Sequence, residues 1–172
     1  MSHFPPEFSR IVPLALLGSE PYLQRIEANA EERRSLTERF DLSGLDRLSA
    51  QVELRRKEGG LILLEAELAA EFEQSCAVCL EPVRDALSHR FSLVYGPPRD
   101  EAPEIVRSGE EPAFEPLTGD MIDIGEAVAQ GLSLALPEFP RHPEASIDEF
   151  FAADPPESPF TSLARLAKRV EC

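Results

Sequence analysis

Apolar and polar residues alternate most regularly between residues 61 and 95. Side chains on one face of a β-strand recur every second residue, so this alternation predicts strands with one face buried. In the first half, glutamates occupy the other face. The apolar positions of that half are Leu64, Ala66, Leu68, Ala70 and Phe72, and the glutamates are Glu65, Glu67, Glu71 and Glu73.

The letters CAVCLEP, residues 76–82, interrupt this alternation. Pro82 cannot donate a ladder hydrogen bond, and alternation resumes after it. The apolar positions of the second half are Val83, Leu87, Phe91, Leu93 and Tyr95. Residues 61–95 are therefore predicted to form a long antiparallel hairpin with CAVCLEP at its turn, and the phase of the first strand places Cys76 on the inward face.

Shorter elements are predicted before the hairpin. The segment EFSRIVPLALL contains Pro13, which is typical of an edge strand, and PYLQRIEA is a second short extended segment. Asn29 is a favourable N-cap residue, and acidic residues follow it in the first turn, so we predict a helix from Ala30 to Arg39. Alternation then returns between Leu48 and Leu54, before a turn at residues 57–60.

A second helix is predicted in GDMIDIGEAVAQGLSLALP, residues 119–137. Met121 and Ile122 form a strand stub, Asp123 caps the helix, and Glu126 is placed to complete a capping box. The apolar stripe of this helix is Ile124, Ala127, Val128, Leu132 and Ala135, and Pro137 ends it. A last, short amphipathic helix is predicted in SPFTSLARLAKRV, with Phe160, Leu163, Leu166 and Ala167 opposite Arg165, Lys168 and Arg169.

These elements predict an α+β fold in which an antiparallel sheet of long hairpins packs with two or three helices. We assign residues 1–137 to one domain that includes a mobile acidic loop at 99–118. Residues 138–172 form a tail that is rich in proline and acidic residues and ends in the short helix. The length of 172 residues suits one core rather than two.

The net charge restricts the choice of partners. The formal charge of −15 repels phosphate backbones unless the basic residues are grouped on one face, so non-specific RNA or DNA binding is disfavoured. A basic partner, such as a ribosomal protein, suits an acidic chain better, although the charge also serves solubility. The basic clusters that could contact RNA or a partner are Arg33, Arg34 and Arg39, and Arg55, Arg56 and Lys57.

The beginning of the chain carries no secretory signal, and no apolar run is long enough to span a bilayer. We therefore expect a cytoplasmic protein without membrane contact. In that compartment the three cysteines are expected to be reduced.

Cys76 and Cys79 have the CxxC spacing of zinc sites and redox dithiols. A structural zinc needs four ligands, and the remaining soft ligands, His3, His89, His142 and Cys172, are isolated along the sequence. A redox role is disfavoured because the pair follows a strand instead of opening a helix. The lack of a second ligand pair favours a turn that holds two thiols and no cofactor. A zinc site is the alternative.

Catalysis by a Cys–His pair is conceivable between Cys79 and His89. However, His89 shares the phase of Leu87 and Phe91 and reads more simply as a partly buried histidine. No GxSxG, HExxH or phosphate-loop motif occurs. We therefore predict a protein that is not an enzyme.

Four segments in order resemble a known family. They are ANAEERRSLTERFDL, AELAAEFEQSCAVCLEPV, MIDIGEAVAQGLSLALPEFPRHP and SPFTSLARL. Together they resemble the YceD family of bacterial large-ribosomal-RNA accumulation proteins, and more closely its alphaproteobacterial-type branch. The resemblance covers roughly residues 10–170 and implies a role in the synthesis, processing or stability of 23S ribosomal RNA and in large-subunit biogenesis, with no enzymatic activity.

Some members of that family carry a second cysteine cluster after the equivalent of LSLALP, which suggests a metal site. This chain has Pro140-Arg141-His142-Pro143 there, so only Cys76 and Cys79 match the ligand motif. Two hypotheses follow. The first is a non-catalytic assembly factor that acts through ribosomal RNA or large-subunit assembly proteins, and the second is a zinc- or thiol-dependent protein that uses the hairpin turn.

Overall fold

The computed structural model describes residues 7–98 and 112–146. Within these ranges the chain forms strands and α-helices in an α+β arrangement, which confirms the predicted class. The strands are β1 (Ile11–Pro13), β2 (Tyr22–Glu27), β3 (Gly44–Arg56), β4 (Ile62–Ser75), β5 (Pro82–Gly96), β6 (Ala113–Pro116) and β7 (Met121–Asp123), and the helices are α1 (Ala30–Arg39) and α2 (Ile124–Ala135).

The main sheet has the strand order β2-β3-β4-β5-β6. Its centre is the predicted hairpin: β4 and β5 pair antiparallel in unbroken register from Ile62 opposite Tyr95 to Ser75 opposite Pro82. The pairings among β2, β3, β4 and β5 are antiparallel, as predicted, and only at one edge does a strand, β6, run parallel to its neighbour, β5. The chain leaves β5 after Gly96 and returns to the same edge in the same direction.

Strand β6 also corrects the predicted acidic loop at 99–118. Residues 113–116 form this strand, and Leu117 N donates to Gly96 O at 2.7 Å. The rest of the predicted loop, residues 99–111, lies outside the described residues, as does the predicted C-terminal helix within 158–170.

A second, two-stranded sheet joins the beginning of the described chain to α2. β1 pairs antiparallel with β7, with Val12 opposite Ile122. The backbone N–H of Ile124 then donates to Arg10 O at 3.0 Å. The strand stub predicted at Met121 and Ile122 is therefore confirmed, but its partner is the edge strand that contains Pro13.

The core lies on one face of the main sheet. Alternate residues of the central strands, including Leu48, Leu64 and Leu68, are buried there against Leu36 of α1 and Leu132 of α2. Burial of these apolar side chains is the main stabilising contribution, at about 1.5–3 kcal/mol for a fully buried leucine. The predicted stripe on α2 is confirmed as core, and Ala135 lies at its half-buried end.

Each helix starts at the predicted cap. In α1, Asn29 accepts from the backbone N–H of Glu32, and the Glu32 carboxylate accepts from Asn29 N at 2.8 Å, which completes a capping box. In α2, Asp123 accepts from Gly125 N and Glu126 N. The capping box predicted there was wrong, because the Glu126 carboxylate accepts from Arg39 of α1 instead.

The solvent face of the sheet carries paired charges. The glutamates of β4 accept hydrogen bonds or lie near arginines of the neighbouring strands: Arg90 contacts Glu67 at 3.0 Å and Arg84 contacts Glu73 at 2.9 Å. Arg47 lies 3.8 Å from Glu71. Exposed pairs of this kind each contribute about 0–1 kcal/mol to the free energy of unfolding. Their main effect is to neutralise the charge of this face.

Over the described ranges, no helix is both long enough and apolar enough to cross a membrane.

Candidate functional site

The two thiols lie at the tip of the β4–β5 hairpin, as predicted. Cys76 N donates to Glu81 O at 2.8 Å, and Leu80 N donates to Cys76 O at 3.0 Å, which closes the turn. Leu80 has a φ of 62°, the left-handed conformation that reverses the chain. Cys76 is fully buried, which confirms its inward phase, whereas Cys79 is exposed.

Backbone N–H groups surround the Cys76 sulfur. Val78 N donates to Cys76 Sγ at 3.4 Å, and His142 N donates to it at 3.3 Å. Hydrogen bonds from the backbone N–H groups of Cys79, His142 and Val78 lower the pKa of Cys76 to about 6, against the opposing effect of desolvation. Hydrogen bonds from N–H donors favour the charged form of an acceptor, so Cys76 is the more acidic thiol of the pair.

The Cys79 thiol is shifted the other way. A backbone hydrogen bond at Glu81 lowers its pKa, but desolvation and the neighbouring Cys76 sulfur together outweigh this and raise it. The pKa values of the two neighbouring thiols are therefore shifted in opposite directions, down for the buried Cys76 and up for the exposed Cys79.

The segment after α2 holds the hairpin tip. Ala77 N donates to Pro140 O at 2.8 Å, and Gln74 Nε2 donates to Pro137 O at 3.3 Å. Together with the His142 contact on Cys76, these bonds fix residues 137–142 against the turn. The sequence gives no indication of the contact between His142 N and Cys76, because His142 is isolated in the sequence and is there only a candidate metal ligand.

The described residues supply two thiol ligands and no complete metal site. In residues 7–98 and 112–146, no group of three or more His, Cys, Asp or Glu side chains is placed to hold a metal ion. The imidazole Nδ1 of His142 accepts from Glu144 N at 3.3 Å, and His89 stacks on Phe91 at 6.1 Å between ring centroids. His3 and Cys172 lie outside the described residues.

Three of the predicted contact arginines bind the protein itself. Arg33 donates to Ala28 O at 2.7 Å, and Arg56 donates to Leu17 O and Leu14 O at 2.9 and 2.8 Å. Arg55 forms an ion pair with Glu53. Arg33 thus holds the start of α1 and Arg56 the turn after β1, whereas the Arg55–Glu53 pair lies within β3.

Arg39 is also engaged, and it links three parts of the fold. Its guanidinium contacts both carboxylate oxygens of Glu126, at 2.7 and 2.8 Å, and Glu7 at 2.9 Å. The remaining predicted contact residues, Arg34 and Lys57, are exposed and their side chains have no partner among the residues that the structure describes. Arg34 lies on α1 and Lys57 follows β3.

The Arg39–Glu126 pair predicts a pH-dependent contribution to stability. The hydrogen bond from Arg39 is the main cause that lowers the pKa of Glu126 below 4.5, and desolvation opposes it. We expect Glu126→Gln to lower the free energy of unfolding by about 1 kcal/mol at pH 7. A carboxyl whose pKa is depressed in the folded state contributes fully above its unfolded pKa, so this difference should shrink as pH falls below about 4.5.

Urea unfolding of the wild type and of Glu126→Gln between pH 7 and pH 3 measures this difference. Glu58→Gln is the matched control, because Glu58 is exposed and has no ion pair in the described chain. A difference that stays constant down to pH 3 would show that the charge of Glu126 is not what Arg39 stabilises.

Comparison with known proteins gives one family. The family model described as "Large ribosomal RNA subunit accumulation protein YceD" matches residues 64–162, more than half of the chain. The matched region begins in β4 and includes the hairpin tip, β5, β6, β7 and α2. No curated protein and no solved structure matches the chain.

Proposed function

Because this chain belongs to the family of the large ribosomal RNA subunit accumulation protein YceD, we propose that it is a non-catalytic factor for 23S ribosomal RNA. It acts in the synthesis, processing or stability of that RNA and in biogenesis of the large subunit. The observation that carries the proposal is the family match over residues 64–162, which spans the hairpin tip and both of its strands.

The position of His89 supports the non-catalytic part of the proposal. His89 lies on β5, seven residues after Pro82, and faces Leu68 of β4. Cys79 lies in the turn before Pro82. At about 3.3 Å per strand residue, the two side chains are roughly 20 Å apart. A nucleophile and its base must lie within hydrogen-bond distance, so these residues do not form a catalytic pair.

The engaged arginines support a role through protein partners. Arg33, Arg39, Arg55 and Arg56 donate to carbonyls or carboxylates of this chain, whereas the side chains of Arg34 and Lys57 have no partner within the described ranges. A chain with a net charge of −15 attracts basic surfaces, such as those of ribosomal assembly proteins in the cytoplasm. Binding to ribosomal RNA is then indirect, through a basic partner.

Deletion of the gene tests the proposal. We expect the deletion strain to show a lower ratio of 23S to 16S ribosomal RNA and fewer large subunits on a sucrose gradient, and the wild-type gene to restore both. Arg34→Ala/Lys57→Ala should restore them equally if RNA is contacted through a partner. An unchanged ratio in the deletion strain under all growth conditions would refute the function, and failure of the double variant alone would indicate direct contact with RNA.

The thiol pair supports a second candidate function. The N–H donors around Cys76 and its lowered pKa favour a thiolate, which is the form that binds zinc or attacks a disulfide. Under this alternative, the hairpin tip is a zinc- or thiol-dependent site. Two ligands are present in the described residues, and the remaining ligands would come from elsewhere.

A double substitution separates the two candidates. If the assembly-factor proposal holds, Cys76→Ser/Cys79→Ser should restore ribosomal RNA levels in the deletion strain. If the thiol site is required, the double variant should fail, and metal analysis should find stoichiometric zinc in the wild type and none in the variant. If the thiol site is required, Cys79→Ser alone should fail as well, and because Cys79 is exposed, this failure would not result from loss of the buried sulfur or of folding.

A further inference from the structure

A groove runs beside the hairpin tip, and none of the predicted site residues is among its lining residues. It has a volume of about 360 Å³ and lies between residues 40–43, which follow α1, residues 74–75 at the end of β4, and Glu138 and Pro140 after α2. We call it the tip groove. Its walls come from three parts of the chain that the backbone contacts of Ala77 and Ser43 hold together: Ala77 N donates to Pro140 O, and Ser43 N donates to Glu73 O, both at 2.8 Å.

The ionisable side chains of the tip groove are both acidic. Asp41 and Glu138 line it, no lysine or arginine is among its described lining residues, and neither carboxylate has a partner among the residues that the structure describes. Elsewhere on the described surface, some carboxylates do have a cation partner: Glu67, Glu73 and Glu126 each pair with an arginine.

A buried acceptor lies in the same wall. Gln74 Oε1 is buried and has no hydrogen-bond donor among the described residues, although the other amide atom, Nε2, donates to Pro137 O. A buried acceptor without a donor costs about 1–3 kcal/mol relative to a satisfied one. The groove therefore presents two carboxylates, which suit a ligand that only donates hydrogen bonds, while the Gln74 oxygen lies beneath the accessible surface. Guanidinium and ammonium groups have that property.

The groove and the adjoining sequence also contain aromatic side chains. Phe139, which stands between the groove residues Glu138 and Pro140, is 75% exposed, and Phe40 is half-buried inside the groove. An occupant that matches this surface must combine cations with apolar side chains.

We propose that the tip groove is the docking site for residues 159–170 of the same chain. This segment, PFTSLARLAKRV, contains three cations and no carboxylate, and its apolar residues Phe160, Leu163 and Leu166 recur at helical spacing. Its charge complements Asp41 and Glu138, and its apolar side chains complement Phe40 and Phe139.

The length of the connection favours this occupant over a separate protein. The described chain ends at Ser146, four residues after His142, which is bonded to the hairpin tip. Only residues 147–158 then separate Ser146 from the segment. A random-coil chain of about twelve residues has an end-to-end distance of roughly 20 Å, and a tether of that reach would give an effective concentration in the millimolar range. A free basic partner must displace the tethered segment to reach the groove.

A spin label on Cys172 in the full chain tests this proposal. The label is attached in a Cys79→Ser background, so that the exposed thiol does not react. We expect the amide NMR signals of Ser43, Ser75 and Glu138 to lose most of their intensity, independently of protein concentration. The loss should be reversed by Lys168→Glu/Arg169→Glu and by Asp41→Asn/Glu138→Gln.

A matched control carries the same change of charge elsewhere. Glu20→Gln/Glu58→Gln removes two exposed carboxylates outside the groove, and it should leave the signal loss intact. Signal loss that survives Asp41→Asn/Glu138→Gln would overturn the proposal, as would the absence of any loss. Loss that grows with protein concentration would assign the groove to a second copy of the chain. Groove signals that respond only to an added arginine-rich peptide would assign it to a basic partner.

Discussion

Gly125→Ala is expected to lower the free energy of unfolding by about 3 kcal/mol or more. Gly125 lies in the first turn of α2, and a Cβ atom there would stand 2.4 Å from Phe8 O and 2.8 Å from Arg10 N. Both obstacles are backbone atoms, so no side-chain rotation can relieve the contact. The segment before β1 and the start of α2 would have to separate, and with them the β1–β7 pairing.

The expected loss of stability is opposite in sign to the usual effect of replacing glycine by alanine in a helix. In an ordinary helix, alanine is more favourable than glycine by about 1 kcal/mol, so a substitution without close neighbours should stabilise. Gly18→Ala is the control, because nothing lies within 4 Å of a Cβ atom at that position. Thermal and urea unfolding of both variants measure the difference, which should correspond to a fall of about 10 °C in Tm for Gly125→Ala. A Gly125→Ala protein as stable as the wild type would show that the backbone of Phe8 and Arg10 does not pack this closely against Gly125.

Asp123→Ala is expected to have the second largest effect, a loss of about 2–3 kcal/mol. One carboxylate oxygen, Oδ1, accepts from Arg10 N at 2.8 Å, Gly125 N at 3.0 Å and Glu126 N at 3.2 Å. The other, Oδ2, accepts from Ser9 Oγ at 2.5 Å. Asp123 is thus the N-cap of α2 and at the same time the acceptor for the chain that leads into β1. Alanine leaves these donors without a partner.

Asp123→Asn separates the cap from the charge. The amide oxygen of asparagine can replace Oδ1, and asparagine is as favourable an N-cap as aspartate, so we expect it to recover most of the lost stability. Ser9→Ala removes only the contact to Oδ2 and should cost less than Asp123→Ala. Urea unfolding of the three variants gives the ranking, and an Asn variant as unstable as the Ala variant would mean that the negative charge matters more than the hydrogen bonds.

Most of the secondary structure followed from local patterns. The bounds of α1 were predicted correctly because both the Asn29 cap and the first-turn acids act within the helix itself. The β4–β5 hairpin followed from an alternation that spans the length of both strands. Strand β6 was missed because it has four residues, with Pro112 before it and Pro116 at its end, and only its pairing with β5 makes it a strand.

The environment of the candidate site residues could not be read from the sequence, because it depends on contacts between distant parts of the chain. Arg39 stands near Arg33 and Arg34 in the sequence, but its partner Glu126 is 87 residues away. The same contact explains why Glu126 does not complete the capping box of α2. The donor that His142 provides to Cys76 crosses 66 residues. Local sequence identified the chemical type of these residues, and only the fold decides which atoms they bind.

The pairing of β1 with β7 has a consequence for the order in which the chain folds. The hairpin β4–β5 joins neighbouring segments and can form as soon as both have been synthesised. By contrast, Ile11 must wait for Asp123, so β1 leaves the ribosome without its partner and stays unpaired until more than a hundred further residues have followed. During that interval Val12 and Phe8, both buried in the finished fold, are exposed to other chains. Closure of this small sheet is therefore the step at which slow synthesis or a weakened α2 would most readily lead to aggregation.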